Sequence, residues 1–184
     1  MRRALRIHPD SDRGPVVRIE ADIRRPRPGV LALSYELTGQ IADVRIPPPA
    51  TPVPIDGLWR RTCFEAFVTP GEDGGYLEFN LSPSGRWAAY RFSAYREGMA
   101  PLAGPPPPGI ALAMDAGSLR LTAELDLSAL PGLASDGAWR IGLAAVIEDA
   151  GGRIGYWALA HPPGKPDFHH ADGFACEIRA WEDA

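Results

Sequence analysis

Apolar and polar residues alternate over many short stretches of this chain, which is the pattern of half-buried β-strands. Over residues 17–23, the odd positions hold valine, isoleucine or alanine and the even positions hold charged residues. Similar patterns predict strands over residues 16–23, 30–37, 41–46, 63–69, 76–82, 87–92, 119–127, 139–147, 154–159 and 174–181. Helical periodicity is almost absent, so we predict an all-β fold, a two-sheet antiparallel β-sandwich.

The central stretch, residues 58–92, is predicted to be a three-stranded meander with turns at residues 70–75 and 83–85. Pairing Thr69 with Tyr76 would place Glu65 opposite Asn80 and Phe67 opposite Glu78, and pairing Ser82 with Trp87 would place Glu78 opposite Arg91. One face would then be polar and aromatic, with Cys63, Glu65, Phe67, Glu78, Asn80, Trp87 and Arg91. The other would be sandwich core, with Phe64, Val68, Leu77, Phe79, Leu81, Tyr90 and Phe92.

The remaining segments set the domain boundaries. Residues 47–54 contain five prolines and are predicted to cross between sheets in extended form, and residues 93–108 are predicted to be irregular. A chain of 184 residues is long enough for one domain with a real core. We predict an N-terminal extension over residues 1–15 and a single sandwich domain over residues 16–184.

Composition excludes several classes of function. The net charge of −4 provides no basic field, so nucleic acid is not an expected partner. No apolar run is long enough for a membrane helix, and the charged N-terminus lacks the apolar stretch of a signal peptide. Cys63 and Cys176 are the only cysteines, and we expect both to be buried free thiols. A cytoplasmic location is therefore expected.

Three motifs in order carry a family resemblance: LWRRTCFEAFV, YLEFNLSPSGRWAAYRF and YWALAHPPGKPDFHHADGF. From residue 16 onward the chain resembles DOMON-like domains related to family 9 carbohydrate-binding modules. The resemblance implies a β-sandwich that binds a sugar or a haem on one sheet and its loops, usually without catalysis. In the PDFH segment it implies that Phe168 plugs the core while His169 hydrogen-bonds to the backbone.

For a sugar, the expected chemistry is aromatic stacking on the C–H face and charged or amide partners for the hydroxyls. The candidates, chosen by residue type and strand position, are Trp59, Trp87 and Trp157 for stacking and Arg60, Glu65, Glu78, Asn80 and Arg91 for hydrogen bonding. The competing interpretation is purely structural: a Glu78–Arg91 salt bridge on a solvated outer face. The expected partner is a saccharide or another small molecule, and a protein partner on which the domain acts in trans is left open.

Two cofactors are alternatives. A b-type haem protein would need an axial pair, which Met99 with His161 or His169 would supply. Calcium would find oxygen ligands in the turns, at Asp56, Glu72, Asp73 and Asp149.

An enzyme is the third hypothesis, a small glycan-acting enzyme that uses Glu65 and Glu78. Arg91 opposite Glu78 would lower the pKa of that carboxyl, which is the wrong direction for a general acid. We therefore assign no catalytic residue and predict a non-catalytic binding domain.

Overall fold

The computed structural model describes residues 1–69, 75–104, 106–130, 133 and 137–179. Its strands, in chain order, are β1 (Arg2–Ile7), β2 (Val16–Arg27), β3 (Val30–Gly39), β4 (Cys63–Thr69), β5 (Tyr76–Leu81), β6 (Trp87–Phe92), β7 (Ala100–Pro101), β8 (Gly109–Met114), β9 (Ser118–Asp126), β10 (Trp139–Glu148), β11 (Ile154–Ala158) and β12 (Cys176–Ile178). Short 3-10 helices cover Ile41–Asp43, Leu58–Arg60 and Ala171–Gly173. None of the helices among the described residues is long and apolar enough to cross a membrane.

The strands form a curled antiparallel sheet that folds into two layers, which confirms the predicted β-sandwich. The front layer has the order β7-β6-β5-β4-β10-β11, with β12 paired to β10, and the back layer has the order β1-β2-β3-β9-β8. Apolar side chains from both layers meet in one core. Its largest fully buried members include Trp139, Tyr35 and Phe64.

The N-terminal residues correct one prediction, because residues 2–7 do not lie outside the sandwich. They form β1, in which Arg2 to Leu5 pair with β2 while Arg6 and Ile7 pair with β11. One strand thus hydrogen-bonds to both layers and joins them. The predicted domain boundary at residue 16 is therefore wrong in the structure.

Three other segments differ from expectation. Residues 41–46 form no strand; Ile41–Asp43 is a 3-10 helix and Val44 makes an isolated bridge to Asp149. Strands β7 and β8 occupy stretches for which no strand was predicted. The last strand is short, and residues 180–184 lie outside the described part of the chain, as do residues 70–74 of the first predicted turn.

The proline-rich segment is extended, as predicted, but it also hydrogen-bonds to β6 and its turn. Ala50 N–H donates to Ser84 O at 2.9 Å, and Ile55 N–H donates to Trp87 O at 2.8 Å. Non-proline residues supply these donors, since proline has no N–H. The segment leads into the 3-10 helix at Leu58–Arg60, which carries Trp59 to the outer side of the front layer.

The second hairpin of the meander corrects the predicted register by one residue. Ser82 N–H donates to Arg86 O and Gly85 N–H donates to Ser82 O, both at 3.0 Å, and Gly85 has φ of +87°. This is a three-residue loop closed by a left-handed glycine, so Leu81 rather than Ser82 pairs with Trp87. A one-residue slip exchanges the two faces of a strand. Trp87 and Ala89 therefore enter the sandwich core, and Ala88, Tyr90 and Phe92 lie on the outer side.

The first hairpin has the predicted register. Glu65 pairs with Asn80, and Phe67 pairs with Glu78. Glu78 then pairs with Tyr90 and not with Arg91, which pairs with Leu77. The predicted Glu78–Arg91 salt bridge is thus wrong, and Arg91 is an exposed side chain on the same side of β6 as Trp87.

Candidate functional site

The outer face of the front layer is covered by loops that enclose a cavity of about 340 Å³. Every residue of β4 from Cys63 to Val68 is buried, so this strand has cover on both faces. The cavity is lined by Trp59, Glu65, Glu78, Phe92, Arg96, Met99, Val146, Tyr156, Pro166, Phe168 and His169. Strands supply the floor, and the segments around residues 59, 96 and 168 supply the walls.

Small side chains leave room above the centre of the floor. Glu65 on β4 pairs with Asn80 on β5 and with Ala144 on β10. The same row continues to Ala158 on β11 and to Ala88 on β6. Because an alanine side chain ends at Cβ, the side chains of Glu65 and Asn80 extend further from the sheet than the three alanines of this row.

Glu65 is the central feature of the cavity. It is 3% exposed, and its Oε1 is buried without a hydrogen-bond partner. Its backbone carbonyl accepts a 2.7 Å hydrogen bond from the Tyr35 hydroxyl on the far layer, which fixes the strand at this point. Burial, and then the neighbouring carboxyl of Glu78, raise the pKa of Glu65 well above its usual value. A carboxyl that lines a cavity and has a buried oxygen without a partner among the described residues marks a candidate ligand site.

In the described part of the chain, Glu78 has one side-chain partner at hydrogen-bonding distance. Its Oε1 accepts a 2.6 Å hydrogen bond from Asn80 Nδ2. The oxygen of the same amide is 3.6 Å from Cys63 Sγ, which donates to it. Burial raises the pKa of Glu78, although the bond from Asn80 works in the opposite direction. Glu65 and Glu78 are therefore two buried carboxyls in one cavity, both with raised pKa values.

His169 forms an aromatic wall with three rings around it. Its ring centroid lies 5.3 Å from Phe67, 5.8 Å from Tyr76 and 5.1 Å from Phe92. Nδ1 is 2.8 Å from the Tyr76 hydroxyl, and Nε2 is 3.9 Å from Glu78 Oε2. Burial and then Arg96 lower the pKa of His169 to about 4, so the ring is neutral at neutral pH.

The PDFH segment thus differs from what the resemblance implied. His169 bonds the hydroxyl of Tyr76 through its ring, and not a backbone group. Phe168 is half-buried and lines the cavity instead of plugging the sandwich core.

An ion pair joins the loop that contains Arg96 to the loop that contains Asp167. Arg96 Nη2 donates to Asp167 Oδ1 at 2.7 Å, and the Tyr95 hydroxyl donates to the other carboxylate oxygen. Burial alone would raise the pKa of Asp167, but these two donors lower it. Arg96 has φ of +56°, in the left-handed region, and its N–H donates to the Tyr76 hydroxyl at 3.2 Å. Its positive φ is held by contacts on both sides, as is common for strained residues at functional sites.

Trp59 forms the opposite wall. Its ring makes an edge contact with Tyr90, with centroids 5.8 Å apart. The Tyr90 hydroxyl donates to Asp56 Oδ1 at 2.6 Å, which ties the loop to β6. Burial, and then the bond to Asp56, raise the pKa of Tyr90.

The sequence-predicted site residues separate into two groups. Trp59, Glu65 and Glu78 line the cavity, and Asn80 lies in the floor beneath them. Trp87 and Trp157 are in the sandwich core, with 8% and 3% of their surface exposed, so they are not ligand-facing. Arg60 and Arg91 are exposed and do not line the cavity.

Sequence reasoning missed Tyr156 and Arg96, and it named Phe92 and Phe168 only as core residues. Tyr156 could have been found by strand alternation, since it precedes the core residue Trp157 and must face the other way. Its ring, with that of Phe168, provides the aromatic surface that Trp157 was expected to provide.

The structure also gives the positions of the candidate ligands for haem and calcium. Met99 and His169 line the cavity, whereas His161 donates through Nε2 to Arg6 O at 2.8 Å. Asp149 accepts from Arg153, and Glu72 and Asp73 lie outside the described residues. In the described part of the chain no group of three or more His, Cys, Asp or Glu side chains is arranged to hold a metal ion. Haem and calcium remain predictions.

Comparison with known proteins connects this architecture to carbohydrate-binding modules. No family model and no curated protein matches the sequence. Similar solved structures include the following three. One, from Bacteroides uniformis, is provisionally described as a carbohydrate-binding protein; it is 15% identical, with a TM-score of 0.68, over 94% of this chain and 83% of that one.

The other two are family 9 carbohydrate-binding modules from Caldicellulosiruptor kristjanssonii. The structure in complex with glucose is 13% identical, with a TM-score of 0.58, over 100% of this chain and 85% of that one. The structure in complex with cellotriose is 12% identical, with a TM-score of 0.55, over 89% and 74%. The chain therefore has the β-sandwich fold of the family 9 carbohydrate-binding modules.

Proposed function

We propose that this protein is a non-catalytic carbohydrate-binding domain that holds a sugar in the cavity above Glu65 and Glu78. The observation that carries the proposal is the carboxyl of Glu65, which lines the cavity and whose buried Oε1 has no hydrogen-bond donor among the described residues. Sugar hydroxyls are donors of the required kind. The fold, which solved structures with glucose and cellotriose share, supports the same ligand class.

The cavity has the two surfaces that a sugar ring needs. Trp59, Tyr156 and Phe168 provide apolar ring surface for C–H groups, and the two glutamates provide acceptors for hydroxyls. A volume of about 340 Å³ lies at the lower end of the range for small-molecule sites, roughly 300–1,000 Å³. The enclosed part therefore suits one sugar unit better than a long chain.

The surroundings of the two carboxyls suit a ligand with many hydroxyl donors. Burial raises the pKa of both, and no described cation pairs with either carboxylate at hydrogen-bonding distance. Sugar hydroxyls would supply the donors that the described side chains do not.

The test is calorimetric titration with glucose, cello-oligosaccharides and a wider saccharide panel, on wild type and on Trp59→Ala. We expect the variant to bind about tenfold more weakly or worse, because an aromatic wall is lost. Trp59→Tyr should retain most of the affinity. Met114→Ala, which truncates an exposed side chain on β8, is the matched control and should bind as wild type does. The proposal fails if folded wild type binds no saccharide, or if Trp59→Ala binds equally well.

A further inference from the structure

The charges that face the cavity do not balance. Among the described residues, Glu65 Oε1 has no hydrogen-bond partner, and the one side-chain donor to Glu78 is the neutral amide of Asn80. Both side chains are nearly fully buried, at 3% and 4% exposure. Buried carboxylates are normally paired with a cation or a set of donors, because the loss of hydration is costly.

Neither nearby basic side chain supplies the missing charge. His169 Nε2 is 3.9 Å from Glu78 Oε2, but its ring is neutral at neutral pH. Arg96 lines the cavity and its charge acts to lower the pKa of Glu78, but its guanidinium is bonded to Asp167, whose charge it balances. The other titratable groups that interact with this pair add no positive charge; they are Cys63, Tyr35, Tyr76 and Tyr90. Before a ligand binds, the cavity therefore carries the negative charge of Glu65 and Glu78. Only a proton that these two carboxyls retain reduces that charge.

We infer that the cavity selects sugars that carry a basic nitrogen, such as unacetylated amino sugars, over their neutral counterparts, and that it excludes acidic sugars. The inference rests on the proposed carbohydrate-binding function and specifies its ligand class. An ammonium group on the ring would donate to the carboxylate of Glu65 and offset the buried charge. Charge-assisted hydrogen bonds of this kind are roughly twice as strong as neutral ones.

The same geometry gives opposite proton linkage for the two sugar classes. A neutral sugar binds best while the carboxyl pair retains a proton, so its affinity stays flat or falls as the pH rises. An ammonium sugar needs the carboxylate, so its binding expels that proton and its affinity rises with pH until the amine itself titrates. A uronic acid or a sugar phosphate would add a third negative group to the site and should not bind.

The experiment compares glucose, glucosamine, N-acetylglucosamine and glucuronate, together with the galactose series, by calorimetry. Each titration is run at several pH values and in two buffers that differ in ionisation enthalpy, which counts the protons released. We expect the amino sugar to bind about tenfold or more tightly than the neutral and acetylated forms, and to release protons on binding. Acetylation removes the charge and retains the ring, so it isolates the ammonium.

Glu65→Gln removes the charge and keeps an acceptor oxygen. It should weaken amino-sugar binding by about tenfold or more, and by a larger factor than it weakens neutral-sugar binding. Glu124→Gln, an exposed glutamate on β9, should change neither. If glucose or galactose binds as tightly as its amino form, this inference is wrong and carbohydrate binding stands. If no saccharide binds to the folded protein, the proposed function fails and the inference fails with it.

Discussion

Both outer faces of the sandwich carry strand glutamates, but these side chains are partly exposed on the back layer and buried on the front layer. On the back layer, Glu20 and Glu36 alternate with apolar residues and are partly exposed. Arg2 pairs with Glu20 at 2.5 Å and with Glu36 at 3.0 Å, and Arg120 pairs with Glu36 at 3.2 Å. On the front layer, Glu65 and Glu78 alternate in the same way but are buried, and neither pairs with an arginine among the described residues.

The difference between these faces is the cover. Loops that carry Trp59, Arg96 and Phe168 remove water from the front face and leave the carboxylates without partners. On the back face solvent and arginine satisfy each carboxylate, so these ion pairs contribute little to stability. A polar strand face thus indicates a binding site when it is covered and unpaired.

The largest effect is expected from the tryptophan that the register places in the core. Trp87→Ala removes a side chain that is 8% exposed and packs between the layers, so it should cost about 3–5 kcal/mol of unfolding free energy. Trp59→Ala, on the cavity wall, should cost much less stability and should mainly weaken ligand binding. Denaturant unfolding of both variants checks this contrast. Equal losses of unfolding free energy in the two variants would contradict the placement of Trp87 in the core and of Trp59 on the cavity wall.

The second effect concerns the buried charge. Glu65→Gln should stabilise the protein at neutral pH by about 1–3 kcal/mol, since it removes an unpaired carboxylate. The folded pKa of Glu65 is raised, so its contribution to stability is fully present below the unfolded value and is lost as pH rises through the folded pKa. The advantage of the variant should therefore grow with pH from about 4.5 upward.

Thermal unfolding of wild type and Glu65→Gln across pH 4 to 8 measures this difference. Carboxyls with lowered pKa values, such as Asp22 and Asp167, destabilise both proteins alike at low pH and cancel in the comparison. If the stability difference between the two proteins is constant from pH 4 to 8, or if Glu65→Gln is less stable than wild type, then Glu65 is not a buried, unpaired carboxylate.

Much of the fold could be predicted from the sequence because strand alternation is a local signal. The pattern gave the sandwich, most of its strands, and the pairing of Glu65 with Asn80. It also selected Trp59, Glu65, Glu78 and Asn80, which do lie at the cavity or in its floor. These residues stand out because polar groups interrupt an aromatic strand.

The failures have physical causes that alternation does not contain. The left-handed Gly85 shortened the second hairpin loop, and that one-residue slip moved Trp87 into the core. Strand β1 was missed because its burial depends on pairing with distant β11. Arg96 and Phe168 reach the cavity from irregular loops, whose course is set by tertiary contacts such as the Arg96–Asp167 pair.

A third prediction concerns the neutral wall of the cavity. His169 should titrate near pH 4, because burial disfavours its charged form. A lowered folded pKa means that its contribution to stability is present above about pH 6.5 and is lost as pH falls through 4. Histidine ring signals in a two-dimensional NMR titration measure this, with His169→Asn used for assignment. A midpoint near 6.5 would mean that the ring is solvated and the cavity is open.

The smallest effect is expected on the solvated back face. Glu36→Gln removes two ion pairs, with Arg2 and Arg120, yet Glu36 is 27% exposed and both arginines are 55% exposed. The cost should be about 0.2–1 kcal/mol and should nearly vanish at about 1 M salt, where screening acts within roughly 3 Å. Denaturant unfolding at low and high salt measures it. The sign is opposite to that of Glu65→Gln, since one substitution removes satisfied charge and the other removes unsatisfied charge. A salt-independent loss above about 2 kcal/mol would show that back-face pairing is structural and would remove the contrast between the two faces.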